Sequence, residues 1–322
     1  MQITNNSILI TAVAIFLCVP LVACRQQVNT PAGSVQAASA SVVDAASVTA
    51  PQTLANRWIA SADEARSLIE QGATVLDARS GLHVGRIEGA VPISWKDFSP
   101  TGATTRGNLL ADDAQLIEQL QAHGISSDRP VVVFGNPPRG WGEDGRIVWM
   151  LRSLGHTQAV MVNGGFQALM DSGAPISAAV AAADSTFVIH RLAQWSIEKD
   201  ALKSQLGAEN LVIIDTREPR EFAGSTPYGE QRGGHVPGAV HLYFKALLDE
   251  QGKLLPHETI LNKLEALNIT QDKQIVVYCT GGIRSGWLVA ILTTMGFRAQ
   301  NYAGSMWEWS AEPASEYPLD TL

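Results

Sequence analysis

One cysteine in this 322-residue chain stands in a loop that suits nucleophilic chemistry. In the stretch IVVYCTGGIRSGW, a short apolar run reaches Cys279, two glycines and Arg284 follow, and a helical pattern begins near Ser285. Glycines let successive backbone N–H groups turn toward one point, and the N-terminal end of a helix favours an anion. A thiol placed there has a lowered pKa and is nucleophilic near neutral pH. We therefore predict that Cys279 is a catalytic thiolate; the alternative is a buried structural cysteine.

The length of this loop separates two chemistries that a thiolate beside an anion site permits. One is attack on phosphorus through a phosphocysteine, and the other is attack on sulfane sulfur, which leaves a persulfide. Cysteine-dependent phosphatases have a loop one residue longer than this one, in which four residues separate Cys279 from Arg284. The shorter ring suits a single sulfur atom on the cysteine. The spacing therefore favours sulfur transfer and leaves phosphatase activity as the remote alternative.

The elements that position this loop occur twice in the chain. The segments at 73–98 and 211–244 both begin with an apolar strand ending in Asp-x-Arg, and both reach a Gly-Ala-Val turn. The apolar runs VVVF and IVVY follow in the same order. Strands that alternate with helices indicate an α/β fold with a mostly parallel sheet flanked by helices. We predict two such domains, at 54–177 and 190–318, joined by a linker that includes 178–184.

The two repeats differ where the chemistry would occur. In parallel sheets, ligands bind beyond the carboxyl ends of the strands, which is where the cysteine lies. Aligning VVVF with IVVY places Gly135 at the position of the cysteine, and aligning GRIEGA with GHVPGA places Arg86 at that of His235. The first repeat therefore lacks the nucleophile. We predict that it packs against the second repeat and forms one wall of the cleft, with Arg139 or Trp141 near the mouth; the alternative for both is a solvated loop.

The second repeat carries motifs that resemble those of tandem-domain rhodaneses, a family of sulfurtransferases. The resemblance covers about 54–318 of the chain. It rests on Asp215-x-Arg217 with Glu221-Phe222 behind it, on Gly234-His235-Val236-Pro237-Gly238-Ala239, on the six-residue loop after IVVY and on the aromatic-glycine segment 302–309. It implies an active C-terminal domain, an inactive N-terminal domain and a double displacement through a Cys279 persulfide.

Charged residues near the thiol have predicted roles of their own. Arg284 is predicted to bind the donor's oxyanion or to lower the pKa of the thiol, the alternative being an ion pair with a surface acid. The resemblance implies that Arg217 faces the donor's anion; an ion pair with Asp215 or Glu221 is the alternative. Asp215 and His235 are predicted to be structural supports. The loop itself is predicted to supply the other contacts to substrate or persulfide, from Thr280, Gly281, Gly282, Ile283 and Ser285.

The expected donor is thiosulfate, with 3-mercaptopyruvate less favoured. Related tandem enzymes tend to have a second arginine near Glu221, where this chain has an acid, and a mercaptopyruvate carboxylate needs a cationic partner. The expected acceptor is cyanide, a cellular thiol or a protein. Two other functions stay open: a sulfur carrier or anion-binding module without rapid turnover, and a thiol redox sensor. We expect a monomer.

The N-terminal segment predicts export. The apolar run ILITAVAIFLCVP is followed by LVAC at 21–24, which resembles a bacterial lipobox. We predict a lipoprotein signal peptide over 1–23, lipidation of Cys24 and a flexible tether over 24–53. Because the first residues contain no Lys or Arg, an uncleaved anchor is the alternative. Either form places the protein in the cell envelope, facing the periplasm or the exterior, at the outer membrane in a Gram-negative cell.

Composition excludes several classes of partner and cofactor. The formal net charge of −8 argues against nucleic acid or anionic membrane surfaces as main partners. The sequence shows no metal-ligand spacing, no phosphate-binding loop of the Walker type and no dinucleotide fingerprint, so we expect neither a metal nor an organic cofactor. With Cys18 in the signal and Cys24 lipidated, Cys279 would be the single thiol of the folded body.

Overall fold

A computed structural model describes residues 54–81, 85, 87, 89–174 and 185–322. The predicted signal peptide, tether and lipidation site at Cys24 lie outside these residues, as do Arg86 and the predicted linker at 178–184. Both repeats belong to one compact unit. Of the helices in the described residues, none is both long enough and apolar enough to cross a membrane.

The first repeat forms a five-stranded sheet in which every pairing is parallel, in the order β1-β5-β4-β2-β3. Its strands are β1 (Ile59–Ala60), β2 (Thr74–Asp77), β3 (Val91–Pro92), β4 (Val131–Phe134) and β5 (Ala159–Val162). Its helices are α1 (Ala62–Glu70), α2 (Asp113–Ala122), α3 (Glu143–Ser153) and α4 (Gly165–Asp171), with short 3₁₀ helices at Leu54–Asn56 and Trp95–Phe98. Strand β4 is VVVF and is buried along its whole length, as expected of a central parallel strand.

The second repeat forms a four-stranded parallel sheet in the order β7-β6-β8-β9. Its strands are β6 (Leu211–Asp215), β7 (Val240–His241), β8 (Gln274–Tyr278) and β9 (Arg298–Asn301). Its helices are α5 (Lys199–Ser204), α6 (Pro219–Phe222), α7 (His257–Glu265), α8 (Ile283–Thr294) and α9 (Ser305–Trp309), with 3₁₀ helices at Ala193–Trp195 and Phe244–Leu247. A single parallel bridge between Ser196 and Asn301 takes the place that β1 has in the first sheet.

The predicted α/β fold with two parallel sheets is confirmed, and the runs VVVF and IVVY are central strands in both. One detail differs: the helix after the cysteine begins at Ile283, two residues before the predicted start near Ser285. The reason is the glycine before it. Gly282 adopts φ +82° as the N-cap, which turns the chain into the helix within the loop.

Helices α3 and α8 join the two repeats into one core. A shared cluster of buried side chains includes Trp149 from the first repeat and Trp287 from the second. The two backbones approach closely at a glycine on each side. A Cβ added to Gly145 would lie 2.4 Å from Cα of Trp287, and one added to Gly286 would lie 3.2 Å from Cα of Arg146. The repeats therefore pack through glycine contacts that leave little room for a side chain.

Candidate active site

The loop after β8 encloses the sulfur of Cys279, which is the free cysteine of the described residues. The residue is 1% exposed and lines a cleft at the carboxyl end of the sheet. Its Sγ accepts a hydrogen bond from the backbone N–H of Gly282 at 3.1 Å, and the hydroxyl of Ser285 lies 3.5 Å away. The predicted meeting of thiol, glycine N–H and helix start is present in the structure.

Helix α9 holds this loop from behind. The N–H of Cys279 donates to Oγ of Ser305 at 3.1 Å, and its carbonyl accepts from the N–H of Met306 at 3.1 Å. The carbonyl of Thr280 accepts from the N–H of Trp307 at 2.9 Å. The segment 302–309 therefore supports the backbone of the nucleophile. From sequence it stood out as a motif without an assigned role.

Each of the two loop glycines is required for a different reason. A Cβ at Gly281 would lie 1.9 Å from the ring of Trp307, which packs directly on the loop. Gly282 has φ +82°, and its Cβ would lie 2.6 Å from the carbonyl oxygen of Ala303 and 2.6 Å from Nη1 of Arg146. Gly281 therefore leaves room for the ring of Trp307, and Gly282 turns the chain so that its N–H points at the sulfur of Cys279.

The pKa of the Cys279 thiol lies below its ordinary value, although the group is buried. Burial raises this pKa, since it disfavours the thiolate. The positive charge of Arg284, the hydroxyl of Ser285 and the backbone N–H groups of Ser285 and Gly281 act in the opposite direction and prevail. The site therefore favours an anionic sulfur, as a nucleophilic thiol requires.

Arg284 is bound to a buried acid. Its guanidinium donates to both carboxylate oxygens of Glu221, at 2.6 and 2.9 Å, and to the hydroxyl of Thr280. The side chains of Arg284 and Glu221 are 4% and 0% exposed. Burial raises the pKa of Glu221, but its bonds with Arg284 and Thr280 lower the pKa by more than burial raises it. The carboxyl group is therefore ionised, and the pair is ionic. The alternative partner predicted for Arg284 was a surface acid, and the observed partner is a buried one.

The hydroxyl of Thr280 does not contact the sulfur. It donates to Glu221 at 2.7 Å, and Glu230 lies 3.3 Å from it. The hydroxyl belongs to the network around the ion pair, and the predicted contact with a persulfide stays a prediction. Ile283 lines the cleft together with Gly281.

Arg217 requires a correction, because the structure does not place it at the donor. Its side chain is 0% exposed and forms an ion pair with Asp215 at 2.7 Å, and its Nη2 also donates to the carbonyl of Gly234 at 2.7 Å. It is not part of the cleft lining. The ion pair, which was the alternative prediction, is the arrangement observed. In both repeats, the arginine two residues after the strand-end aspartate turns back on that aspartate.

Asp215 and His235 hold the strand ends around this pair. One oxygen of Asp215 accepts the N–H of Arg217 at 2.9 Å, and the other accepts the hydroxyl of Tyr278 at 2.7 Å. Nδ1 of His235 lies 3.0 Å from the carbonyl of Phe222, and its ring stacks on that of Phe222 at 3.8 Å. Both residues occupy the places of structural supports, away from the sulfur.

This geometry agrees with comparisons to known proteins. A description of the rhodanese-like domain fits residues 61–172 and again residues 198–312. The chain belongs to the rhodanese family. It is 34% identical over 208 residues to a thiosulfate sulfurtransferase of Azotobacter vinelandii, an alignment that covers 63% of this chain and 76% of the relative.

Other relatives carry related functions. A thiosulfate sulfurtransferase of Pseudomonas aeruginosa is 33% identical, over 64% of this chain and 75% of the relative, and a sulfur carrier protein of Thermus thermophilus is 30% identical, over 70% and 82%. An anaerobic ergothioneine biosynthesis enzyme from Chlorobium limicola superposes with a TM-score of 0.68 over 82% of this chain and 70% of its own, at 21% identity, which shows a shared fold. The chain is a rhodanese-type enzyme.

The cleft of this rhodanese is built by both repeats. It encloses about 680 Å³, and the first repeat contributes Trp141, as predicted, whereas Arg139 is exposed and is not part of the lining. Two cations of the first repeat, Lys96 and Arg106, also line it. Arg106 lies over the ring of Trp307 at 3.8 Å and donates to the carbonyl of Tyr228 at 3.1 Å. Neither cation was predicted from the sequence, because Lys96 lies in a short 3₁₀ helix and Arg106 in a turn, with no motif around either of them.

In the first repeat of this rhodanese, acidic residues stand at the place that corresponds to the Cys279 loop. Helix α3 begins with Glu143 and Asp144, where α8 begins with Ile283 and Arg284. A Cβ added to Gly135 would lie 2.7 Å from Cγ of Asp144, so a carboxyl group takes the space beside the missing cysteine. Burial raises the pKa of Asp144 to about 7, and the neighbouring Glu143 raises it as well. This end of the first sheet therefore disfavours an anion.

Proposed function

We propose that this rhodanese moves sulfane sulfur from thiosulfate to a thiol acceptor, or to cyanide in an assay, through a persulfide on Cys279. The observation that carries the proposal is the buried thiol of lowered pKa, with the N–H of Gly282 at 3.1 Å from its sulfur. The loop has donors aimed at one atom, and four residues separate Cys279 from Arg284, one fewer than in cysteine-dependent phosphatases. The names of the relatives in Azotobacter and Pseudomonas support thiosulfate as the donor.

The reaction balances in two displacements. The thiolate of Cys279 attacks the outer sulfur of thiosulfate, a bond forms between the two sulfurs, and the bond to the sulfonate sulfur breaks with its electron pair, so sulfite leaves. An acceptor thiolate or cyanide then attacks the outer sulfur of the persulfide, and the Cys279 thiolate departs with the electron pair. Gly282 and Ser285 face the sulfur atom that carries negative charge at both ends of the cycle.

Glu221 bears on the choice of donor. It is fully buried and paired with Arg284, so the charge of Arg284 is already committed and is not free to bind a carboxylate of the donor. The remaining cations of the cleft lining, Lys96 and Arg106, belong to the first repeat. This charge distribution suits a donor whose anionic end points outward from the reacting sulfur. We propose that 3-mercaptopyruvate is the poorer donor for this reason.

Steady-state assays with thiosulfate and 3-mercaptopyruvate, run side by side, test the proposal. We expect sulfite release and thiocyanate formation from thiosulfate, with ping-pong kinetics, and a lower kcat/KM with mercaptopyruvate. Mass spectrometry after thiosulfate alone should show one added sulfur on Cys279, which cyanide removes. A sulfenic acid or a mixed disulfide formed instead, without turnover, would establish a redox sensor and overturn sulfur transfer.

A sulfur carrier is the second candidate, favoured by the relative of that name in Thermus thermophilus. A carrier would take up one sulfur per thiol and release it to a protein, with little turnover on small acceptors. A single burst of sulfite, equal to the enzyme concentration and not followed by a steady rate, would identify it. Sustained turnover with small thiols at rates similar to those with cyanide would exclude it.

We further propose that the mature protein is a lipid-anchored monomer of the cell envelope, with lipid on Cys24. The support is the apolar run and LVAC in the sequence. Labelled fatty acid should enter the protein expressed in a bacterium, and Cys24→Ser should abolish the label and release the protein from membranes. Label retained in Cys24→Ser would contradict lipidation at this residue. Sedimentation of the folded body should give the mass of one chain.

A further inference from the structure

A buried arginine of the first repeat reaches under the loop that holds Cys279. Arg146 lies in α3 and is 1% exposed. Its Nη2 donates to the carbonyl of Gly107 at 2.7 Å, its Nη1 donates to the carbonyl of Gly282 at 3.3 Å, and its guanidinium lies 4.5 Å from the ring of Trp149. None of these contacts is with a carboxylate.

Other buried arginines of the described residues show why this is unusual. Arg79, Arg217 and Arg284 each form an ion pair with an acid. Arg152, also in α3, donates instead to five carbonyl groups of the first repeat. The guanidinium of Arg146 carries the same charge but donates to only two carbonyl groups. A buried cation with few partners is costly unless a negative charge lies near it.

A thiolate at Cys279 would be such a charge, because Gly282 links the two groups: its carbonyl accepts from Arg146 and its N–H donates to Sγ. Burial lowers the pKa of Arg146 to about 9, and the negative charge of Cys279 acts in the opposite direction. Both groups are enclosed, so their attraction is only weakly screened by water. The cation of the first repeat and the anion of the second therefore stabilise each other across the boundary between the repeats.

Arg146 also contacts the residue that orients the sulfur's hydrogen-bond donor. Gly282 donates its N–H to Sγ of Cys279 at 3.1 Å and has a left-handed backbone conformation. The carbonyl group of the same residue also needs a hydrogen-bond partner. That carbonyl accepts from Arg146 and, at 3.2 Å, from Nδ2 of Asn301. Two side chains, one from each repeat, thus fix the turn beneath the sulfur.

We propose that Arg146 is a positioning residue that the first repeat supplies to the second, where it holds the Gly282 turn against Cys279 and stabilises the thiolate. The inference rests on the proposed function only in taking Cys279 as the reactive thiol. The repeat that lacks a cysteine then contributes to the chemistry of the other.

The other charged groups around the sulfur set the background for a test. Arg284 faces it from the start of α8, with Glu221 and Glu230 behind, and the cleft wall of the first repeat adds Lys96, Arg106 and Glu143. All of them remain when Arg146 is replaced. A change in the thiol's pKa in such a variant is therefore assigned to Arg146 itself.

The experiment measures the rate at which iodoacetamide alkylates Cys279 in the folded protein as a function of pH. Arg146→Met is expected to raise the pKa of the thiol by about one unit. At pH values below the thiol pKa of both parent and variant, this lowers the alkylation rate about tenfold. Arg146→Lys, which keeps the charge, should restore most of the rate. Arg146→Gln, which keeps a hydrogen-bond donor without the charge, should behave like Met.

Arg152→Met is the matched control. It removes a second buried guanidinium from the same helix and should lower the free energy of unfolding, yet leave the pH profile of alkylation unchanged. Should Arg146→Met fail to fold, the comparison between Gln and Lys decides the question. A parental profile in a folded Gln or Met variant would overturn the role of Arg146. Absence of persulfide in the parent would instead overturn the proposed function and leave this comparison intact.

Discussion

The loops that follow β4 and β8 occupy the same place in two similar sheets, and they differ in chemistry. After β8, Cys279 meets the N–H of Gly282 and the charge of Arg284. After β4, Gly135 meets the carboxyl group of Asp144. Both helices begin after a left-handed glycine, at φ +83° for Gly142 and +82° for Gly282. Both repeats therefore share the left-handed glycine before the helix, while the charged residues at the helix start have opposite signs.

The first repeat therefore differs from the second in more than the missing cysteine. Asp144 fills the space beside Gly135, and Glu143 puts a negative charge at the helix start. Restoring a thiol there would place it against a carboxyl group, which disfavours a thiolate. The first repeat instead serves the second by lining its cleft with Lys96 and Arg106.

The largest expected effect concerns the thiol, which the loop after β8 has and the loop after β4 lacks. Cys279→Ser should reduce sulfur transfer at least about a thousandfold, since a serine hydroxyl does not form the persulfide. Adding Gly135→Cys to that variant should restore none of the activity, because the new side chain meets Asp144 at 2.7 Å. Thiocyanate formation and mass spectrometry of both variants measure this. Recovery of activity or a persulfide on the new cysteine would show that the first loop is still competent.

A second prediction concerns the charge at the helix start. Arg284→Gln should raise the pKa of the thiol and lower turnover near pH 7 about ten- to a hundredfold, because the thiolate loses the cation beside it. The rate should then reach its plateau at a higher pH than in the parent. The double variant with Glu221→Gln serves as the control: it removes the unpaired buried carboxylate and should regain stability, yet keep the shifted profile. An unshifted profile would contradict this role for Arg284.

A third prediction compares the two glycines at the crossing of α3 and α8. Gly145→Ala should lower the free energy of unfolding by about 2 kcal/mol, because its Cβ would meet the backbone of Trp287 at 2.4 Å. Gly286→Ala has a nearest contact of 3.2 Å and should cost about 1 kcal/mol or less, since alanine also favours the helix. Urea unfolding of both variants gives the comparison. Equal costs would show that the crossing relaxes on both sides.

The most gradual effect is the pH dependence of stability that Asp144 imparts. Its folded-state pKa is raised to about 7, so the folded protein holds a proton that the unfolded chain has released. Stability should therefore fall as the pH rises from about 4 to about 7, by about 1 kcal/mol per pH unit. Asp144→Asn should remove this slope. Urea unfolding at several pH values measures it, and parallel curves for parent and variant would contradict a raised pKa.

Much of the fold followed from local patterns in the sequence. The runs VVVF and IVVY, the repeated Asp-x-Arg and the glycine turns predicted two parallel α/β units, because strand alternation and turn chemistry act over a few residues. The loop from Cys279 to Arg284 was readable for the same reason, since its donors, its glycines and its thiol are neighbours in the chain.

The partners of the charged side chains were less predictable. Arg217 pairs with Asp215 two residues away, and a strand end alone did not show whether it turns inward or toward the cleft. Arg284 meets Glu221 across 63 residues of sequence, and Lys96 and Arg106 reach the cleft from the other repeat. The placements of Arg284, Lys96 and Arg106 are not encoded in a local pattern.

The sequence by itself determined the candidate nucleophile, the loop that surrounds it and the existence of a repeat without a thiol, because each depends on residue types at fixed short spacing. The tertiary structure decided which charges act on the sulfur. Electrostatic effects depend on burial and on separation in space, and both arise only when α3 and α8 pack together. That packing brings Arg146 to the carbonyl of Gly282, and so it assigns the first repeat a part in the chemistry of the second.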